Sequence, residues 1–224
     1  MSGRLAEALR TALESPIGDH LGQVFHAPFV TVLLAEQGGG EATAEALEVA
    51  RDALARCGVA PGRQMVLLAS TGAPLTDARE VARALRSRLG LPVVLHDPAR
   101  SPSMLSSKEG GLRIALDDEL REAEAVVVVS EIRVGAAFGE AGGEELLVPG
   151  AADAESIERC ARLATTPEGR AEVARVAMAT CRIDYALLWS RGEDVRAWAG
   201  EAPAVFDLAR QAITLRRAPR AEPI

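Results

Sequence analysis

Short, continuous apolar runs alternate along this chain with longer stretches whose apolar residues recur at helical spacing. The runs lie at 29–35 (FVTVLLA), 64–70 (QMVLLAS), 91–96 (LPVVLH), 125–129 (AVVVV) and 183–189 (IDYALLW). Runs of this length, bounded by glycine or polar residues, predict strands buried on both faces. Weaker runs at 112–115 and 195–198 predict two short strands, the second following a turn at 191–194. Between the strong runs, the stretches 41–57, 77–89, 154–164, 168–180 and 202–216 predict helices. Gly58 and Gly90 stop the first two, and Thr76 and Asp153 are suited to cap helix starts. A helical turn is expected at 117–122. Near the start, Leu5, Leu9 and Leu13 stand four apart and predict an amphipathic helix over 3–14, ended by Pro16 and Gly18.

Strands alternating with helices imply right-handed crossovers and a mostly parallel sheet, so the expected fold is a three-layer α/β domain. Its expected division is a helical extension over 1–28, the α/β domain over 29–215 and a proline-rich, disordered tail over 216–224. The central element is the valine run, Val126 to Val129, with the loop that follows it. That loop carries Gly135, Gly139, Gly142 and Gly143 and closes on Pro149-Gly150. It lies at the carboxyl end of a strand, where open α/β sheets place their binding crevice. The loops on the same edge are expected to bring Glu36, Thr71, Gly72, Asp97 and Arg133 towards that crevice, with His96, Glu144 and Glu145 beside them.

Composition narrows the partners. The net charge is −7, so no global basic field favours nucleic acid. Aromatic residues make up 3% of the chain, too few for base-stacking platforms. Neither a basic leader nor an apolar segment of membrane-spanning length is present, which predicts a cytoplasmic protein without a membrane anchor. Cys57, Cys160 and Cys181 are far apart and form no CxxC, so buried thiols are expected rather than a disulfide or zinc framework. His20 and His26 have no third ligand nearby, and no metal site is expected. The basic residues are arginines with one exception, Lys108, a bias that a GC-rich bacterial genome would produce.

Several short motifs resemble the N-terminal domain of the nickel-pincer lactate racemase family, in order and spacing. Thr71-Gly72-Ala73-Pro74 stands where the family has Thr-Gly-x-His, and His96-Asp97 where it has a His-Asp pair. Arg133-Val134-Gly135, Phe138-Gly139, Ala141 to Leu146 and Pro149 to Ala152 match the spacing of its long loop. Glu155-Ser156-Ile157 and Val195 to Glu201 are similar to two downstream segments. The resemblance covers roughly 29–213 and implies the racemase N-terminal fold. It also implies which chemistry is missing. The family tethers a pyridinium-derived nickel cofactor through a loop lysine, and that position is Glu145 here. Its nickel-ligating histidine falls at Gly135, its acid–base histidines at Pro74 and Ala161, and its substrate-holding arginine at Gly39. Glycine, alanine and proline carry no titratable side chain, and glutamate cannot form the amine-derived link.

The expected function is therefore a noncatalytic relative, a binding or interaction protein without the nickel-pincer cofactor. It would pair with itself, a protein partner or a small carboxylate. The alternative is an isomerase-like enzyme of altered chemistry on a small hydroxy acid, using Glu36, His96 and Arg133, or one half of a split enzyme. Individual residues carry rival readings. Glu36 is either a general base or, preferred, a solvated loop carboxylate. Arg133 either pairs with Glu144 or Glu145 or is exposed. Glu144-Glu145 is read as a solvated acidic loop in preference to a cation site with Glu140 or Glu131. His96-Asp97 is read as fold support in preference to an acid–base pair, because neighbours on a strand point to opposite faces. Gly38-Gly39-Gly40 is read as a turn in preference to an anion cradle.

Overall fold

The computed structural model describes residues 2–25, 29–37, 40–70, 75–99, 105–107, 111–136, 139–192 and 194–217. Its helices are α1 (Ser2–Glu14), α2 (Leu21–Val24), α3 (Gly40–Arg56), α4 (Leu75–Leu89), α5 (Asp118–Glu122), α6 (Ala154–Leu163), α7 (Pro167–Thr180) and α8 (Ala202–Arg217). Its strands are β1 (Thr31–Glu36), β2 (Gln64–Ala69), β3 (Val93–Leu95), β4 (Leu105–Ser107), β5 (Ile114–Leu116), β6 (Ala125–Glu131), β7 (Arg133–Ala136), β8 (Gly139–Ala141), β9 (Tyr185–Ser190) and β10 (Arg196–Gly200).

Six strands form the main sheet in the order β10-β9-β6-β1-β2-β3. All neighbours are parallel except β9 and β10, which form an antiparallel hairpin. The connection between those two is too short for a crossover, which needs a dozen or more residues, so the chain must reverse. β6 lies in the middle and is buried at every position. Alternate residues of the strands feed two separate cores. Leu33, Ala35, Val127, Val129 and Leu187 face the core made with α1 and α3. Val32, Leu34, Val126, Val128 and Leu188 face the core made with α7, α8 and residues 146–152. The three-layer α/β expectation is met, including the burial of the valine run on both faces.

Local chemistry sets the helix starts. Asp153 accepts from Ser156 N at 2.8 Å at the head of α6, as expected. Thr166 does the same for Gly169 N at 3.0 Å at the head of α7, with Pro167 in the first turn where its missing N–H costs nothing. α1 places Leu5 and Leu9 in the core shared with α3.

Four strands depart from expectation. The weak run at 112–115 is shifted to Ile114–Leu116, and it pairs with β4 in a separate two-stranded sheet. β4 has no apolar signal, because it sits in a serine-rich stretch. The glycine loop is not irregular throughout, since β7 and β8 form a hairpin with a bulge between Val134 and Ala136.

Candidate functional site

The sheet has one topological switch point. From β1 the chain moves outward through β2 and β3, then returns to place β6 on the other side of β1. The carboxyl ends of β1 and β6 therefore diverge into loops on opposite faces, which is where an open α/β sheet forms its crevice. Glu36 ends β1, and Glu131 ends β6.

The second half of the glycine loop returns across this edge. Gly142 has φ 101°, and a Cβ there would stand 2.5 Å from the carbonyl oxygen of Glu131. Only glycine permits so close an approach of backbone to backbone in that conformation. Beyond a short 3-10 turn at Gly143–Leu146, the side chains of Leu146, Leu147 and Val148 are buried in the core with Ile132 and Phe206. Gly150 O accepts from Ser70 N at 2.6 Å and ties the loop to the end of β2. The loop is thus anchored over the carboxyl ends of the strands by apolar burial.

Charged side chains at this edge are matched to one another. Glu36 pairs with Arg133, which corrects the expectation of a solvated carboxylate at Glu36 and of a Glu144 or Glu145 partner for Arg133, while Arg133 is exposed, as its other reading had it. Glu36 is not a solvated carboxylate, because its side chain is only 13% exposed, and Arg133 reaches it instead of Glu144 or Glu145. The reason is topological: Arg133 follows β6 directly, and β6 lies beside β1. Glu131 is held at two points by one edge of the Arg191 guanidinium, with Nε donating to Oε1 at 2.7 Å and Nη2 donating to Oε2. Its side chain is 7% exposed, whereas that of Arg191 is half-exposed. The hydrogen bond to Glu131, then the nearness of Glu131 and Glu36, hold the Arg191 guanidinium above its ordinary pKa. Glu36, Glu131, Arg133 and Arg191 form a four-charge cluster of zero net charge across the switch point. Gln37, the next residue after β1, is buried, and its Nε2 has no hydrogen-bond partner.

The acidic loop is engaged as well. Glu144 binds Arg210 of α8 at 2.9 Å, so it is not the solvated carboxylate expected. Glu145 is half-buried in the 3-10 turn. Among the described residues no group of three metal-ligating side chains comes together, and no helix is long and apolar enough to cross a membrane.

His96 and Asp97 do not form a pair. His96 lies just past β3, is 1% exposed, and turns inward. Its Nδ1 is 2.7 Å from Oδ2 of Asp117, and its Nε2 donates to Ala152 O at 2.8 Å. A carbonyl can only accept, so Nε2 is the donor to Ala152 and Nδ1 faces the Asp117 carboxyl. Asp117 also caps α5 by accepting from Glu119 N at 3.1 Å. His96 thus fastens the end of β3 to α5 and to the segment after the glycine loop. Asp97 accepts from Ala99 N in its own turn. Thr71, Gly72, Pro74, Gly39, Lys108, Phe138 and His26 lie outside the described residues, as does 218–224 of the tail.

Three partners escaped the sequence: Asp117, Arg191 and Arg210. One signal pointed to Arg191. Glu131 ends a strand that is otherwise apolar, and a carboxylate buried there demands a cation from an adjacent strand end.

No family model matches the chain, and no curated protein does. Its backbone superposes on the solved lactate racemase apoprotein from Thermoanaerobacterium thermosaccharolyticum with a TM-score of 0.72. This is a lactate racemase-like fold. The match covers 93% of this chain at 16% identity. The chain spans about half the length of that protein, 55%. At such identity the likeness establishes the lactate racemase-like fold, and the chemistry must be argued from this chain's own side chains.

Proposed function

We propose that this chain is a noncatalytic lactate racemase-like domain, a binding or interaction protein that does not hold the tethered nickel-pincer group. The observation that carries the proposal is the mutual neutralisation of the switch-point charges: Glu36 by Arg133, and Glu131 by Arg191. A carboxylate and a guanidinium that bind each other have fewer hydrogen-bonding atoms left to hold a substrate.

The residues present do not fit the group that the resemblance implies. At the tether position stands Glu145, a carboxylate, beside Glu144, which is bound to Arg210. At the ligand position stands Gly135, which has no donor atom beyond its backbone. The altered-chemistry alternative needs His96 as a free acid or base, and both nitrogens of that buried ring are taken. The crevice instead suits a small carboxylate approaching the half-exposed outer faces of Arg133 and Arg191, or a protein partner across the same edge.

The test is a racemisation assay on D- and L-lactate with the purified chain, nickel and the pincer nucleotide. No turnover above the protein-free background is expected. Turnover that depends on nickel would overturn the proposal.

A further inference from the structure

A second concavity lies at the opposite edge of the sheet, at the amino ends of the parallel strands. α3 returns from the end of β1 and finishes there with Arg56 and Cys57, where the end of α1 and the start of α2 meet it. Gly22, in α2, has no side chain to fill the junction. A Cβ there would meet only the Cys57 Sγ, at 3.5 Å. The result is a cavity of about 470 Å³, within the roughly 300–1,000 Å³ typical of small-molecule sites.

The lining is divided by chemistry. Leu21 and Ala53 are buried, and Leu13 and Cys57 are half-buried, so the floor is apolar. Arg10, Arg56 and His20 stand exposed around the rim. Glu14 is the one carboxylate in the lining. Neither guanidinium has an ion-pair partner among the described residues, unlike Arg133, Arg191 and Arg210 at the opposite edge. The cavity thus sets two unpaired guanidinium groups over an apolar floor. Such an arrangement rewards a ligand that places an anionic head between the guanidinium groups and an apolar body beneath them.

We propose that this cavity binds a small organic anion with an apolar body, of the medium-chain carboxylate type, independently of the switch-point crevice. Arg10 and Arg56 hold the carboxylate, Leu13 and Leu21 cover the chain, and Gly22 leaves the space. Cys57 borders the space and reports on its occupancy. Cys160 and Cys181 are buried, and burial pushes their thiols up to about 11 and about 12, so they stay silent in the folded protein.

The experiment uses octanoate as ligand and octanol as its uncharged counterpart. The rate of iodoacetamide alkylation at Cys57 is followed by peptide mass, and displacement of 8-anilinonaphthalene-1-sulfonate by fluorescence. Saturating octanoate is expected to slow alkylation of Cys57 by about tenfold. Octanol at the same concentration should leave the rate unchanged. Replacing both guanidinium groups (Arg10→Gln with Arg56→Gln) should weaken octanoate by about tenfold or more, one charge-assisted hydrogen bond or greater. Gly22→Leu fills the cavity and should abolish displacement while the melting temperature is kept. If Gly22→Leu does not fold, the arginine pair alone decides, because both side chains are exposed and unpaired. Equal protection by octanol and octanoate would overturn the proposal, as would octanoate binding that survives the double arginine replacement.

Discussion

At the residue scale, what distinguishes the switch point is that its charges come in closed pairs. Glu131 is the most constrained of them, a carboxylate with little exposure and a two-point partner. Removing Arg191 leaves that carboxylate buried without its cation, a loss of about 3–5 kcal/mol for a fully buried pair and less where the arginine is half-exposed. We expect Arg191→Ala to lower stability by about 2 kcal/mol. Glu131→Gln combined with Arg191→Ala should cost less than the sum of the two single changes. Chemical denaturation of the four proteins in the cycle measures this coupling, and strict additivity would show that the pair is incidental. His96 teaches a related lesson. The dipeptide His96-Asp97 invited an acid–base reading, whereas the carboxylate that matters, Asp117, sits on another element. Adjacent residues near a strand end diverge, and contact partners come from the topology. No local pattern could have supplied Asp117, Arg191 or Arg210 as specific partners.

At the element scale, the strands followed from the apolar runs because most of these runs are buried on both faces, the edge strand β3 being only partly so. β6 and β9 were legible for that reason. β4 and the β7–β8 hairpin were not, since they are held by backbone pairing in polar or glycine-rich stretches without an apolar alternation to reveal them. Two predictions belong here. The edge strand β10 is stapled to the segment after α1: Ile17 N donates to Ala199 O at 2.8 Å, and Glu201 N to Ile17 O at 3.0 Å. Gly200 has φ 140°, and a Cβ on it would stand 2.1 Å from Ile17 O. Gly200→Ala should therefore cost about 2 kcal/mol or more and loosen α1, visible as faster amide exchange in 2–17. The second concerns the contact between α3 and α4, where Arg88 bridges Glu41 and Glu48. The hydrogen bond from Arg88, opposed by partial burial, leaves the Glu48 carboxyl below its ordinary pKa. A depressed carboxyl contributes stability above its unfolded pKa and loses it as pH falls through the folded value. Arg88→Met should lower stability by about 0.5–1 kcal/mol at neutral pH, a partly exposed pair being worth little more. The deficit should vanish towards about pH 3. Thermal melts of both proteins across that range measure it, and a deficit independent of pH would assign the effect to packing.

At the scale of the whole molecule, one sheet carries two chemically different edges. The carboxyl edge is the expected crevice of a lactate racemase-like fold, closed over by buried Leu146 to Val148 and lined with charges that satisfy one another. The amino edge carries two arginines that have no ion-pair partner among the described residues, around an apolar hollow. The mostly parallel, helix-flanked sheet was legible because strands alternate with helices and the loop spacing resembles that of the racemase N-terminal domain, whereas the strand order was not. The pairing that closes the crevice was not, because it depends on which strand ends the topology sets side by side. We propose that this crevice does not hold a tethered nickel-pincer cofactor. The most direct test is the intact mass of the chain purified from cells that synthesise that cofactor. The expected result is the mass of the unmodified polypeptide, with no adduct on any residue. A covalent adduct of the pincer nucleotide would contradict it.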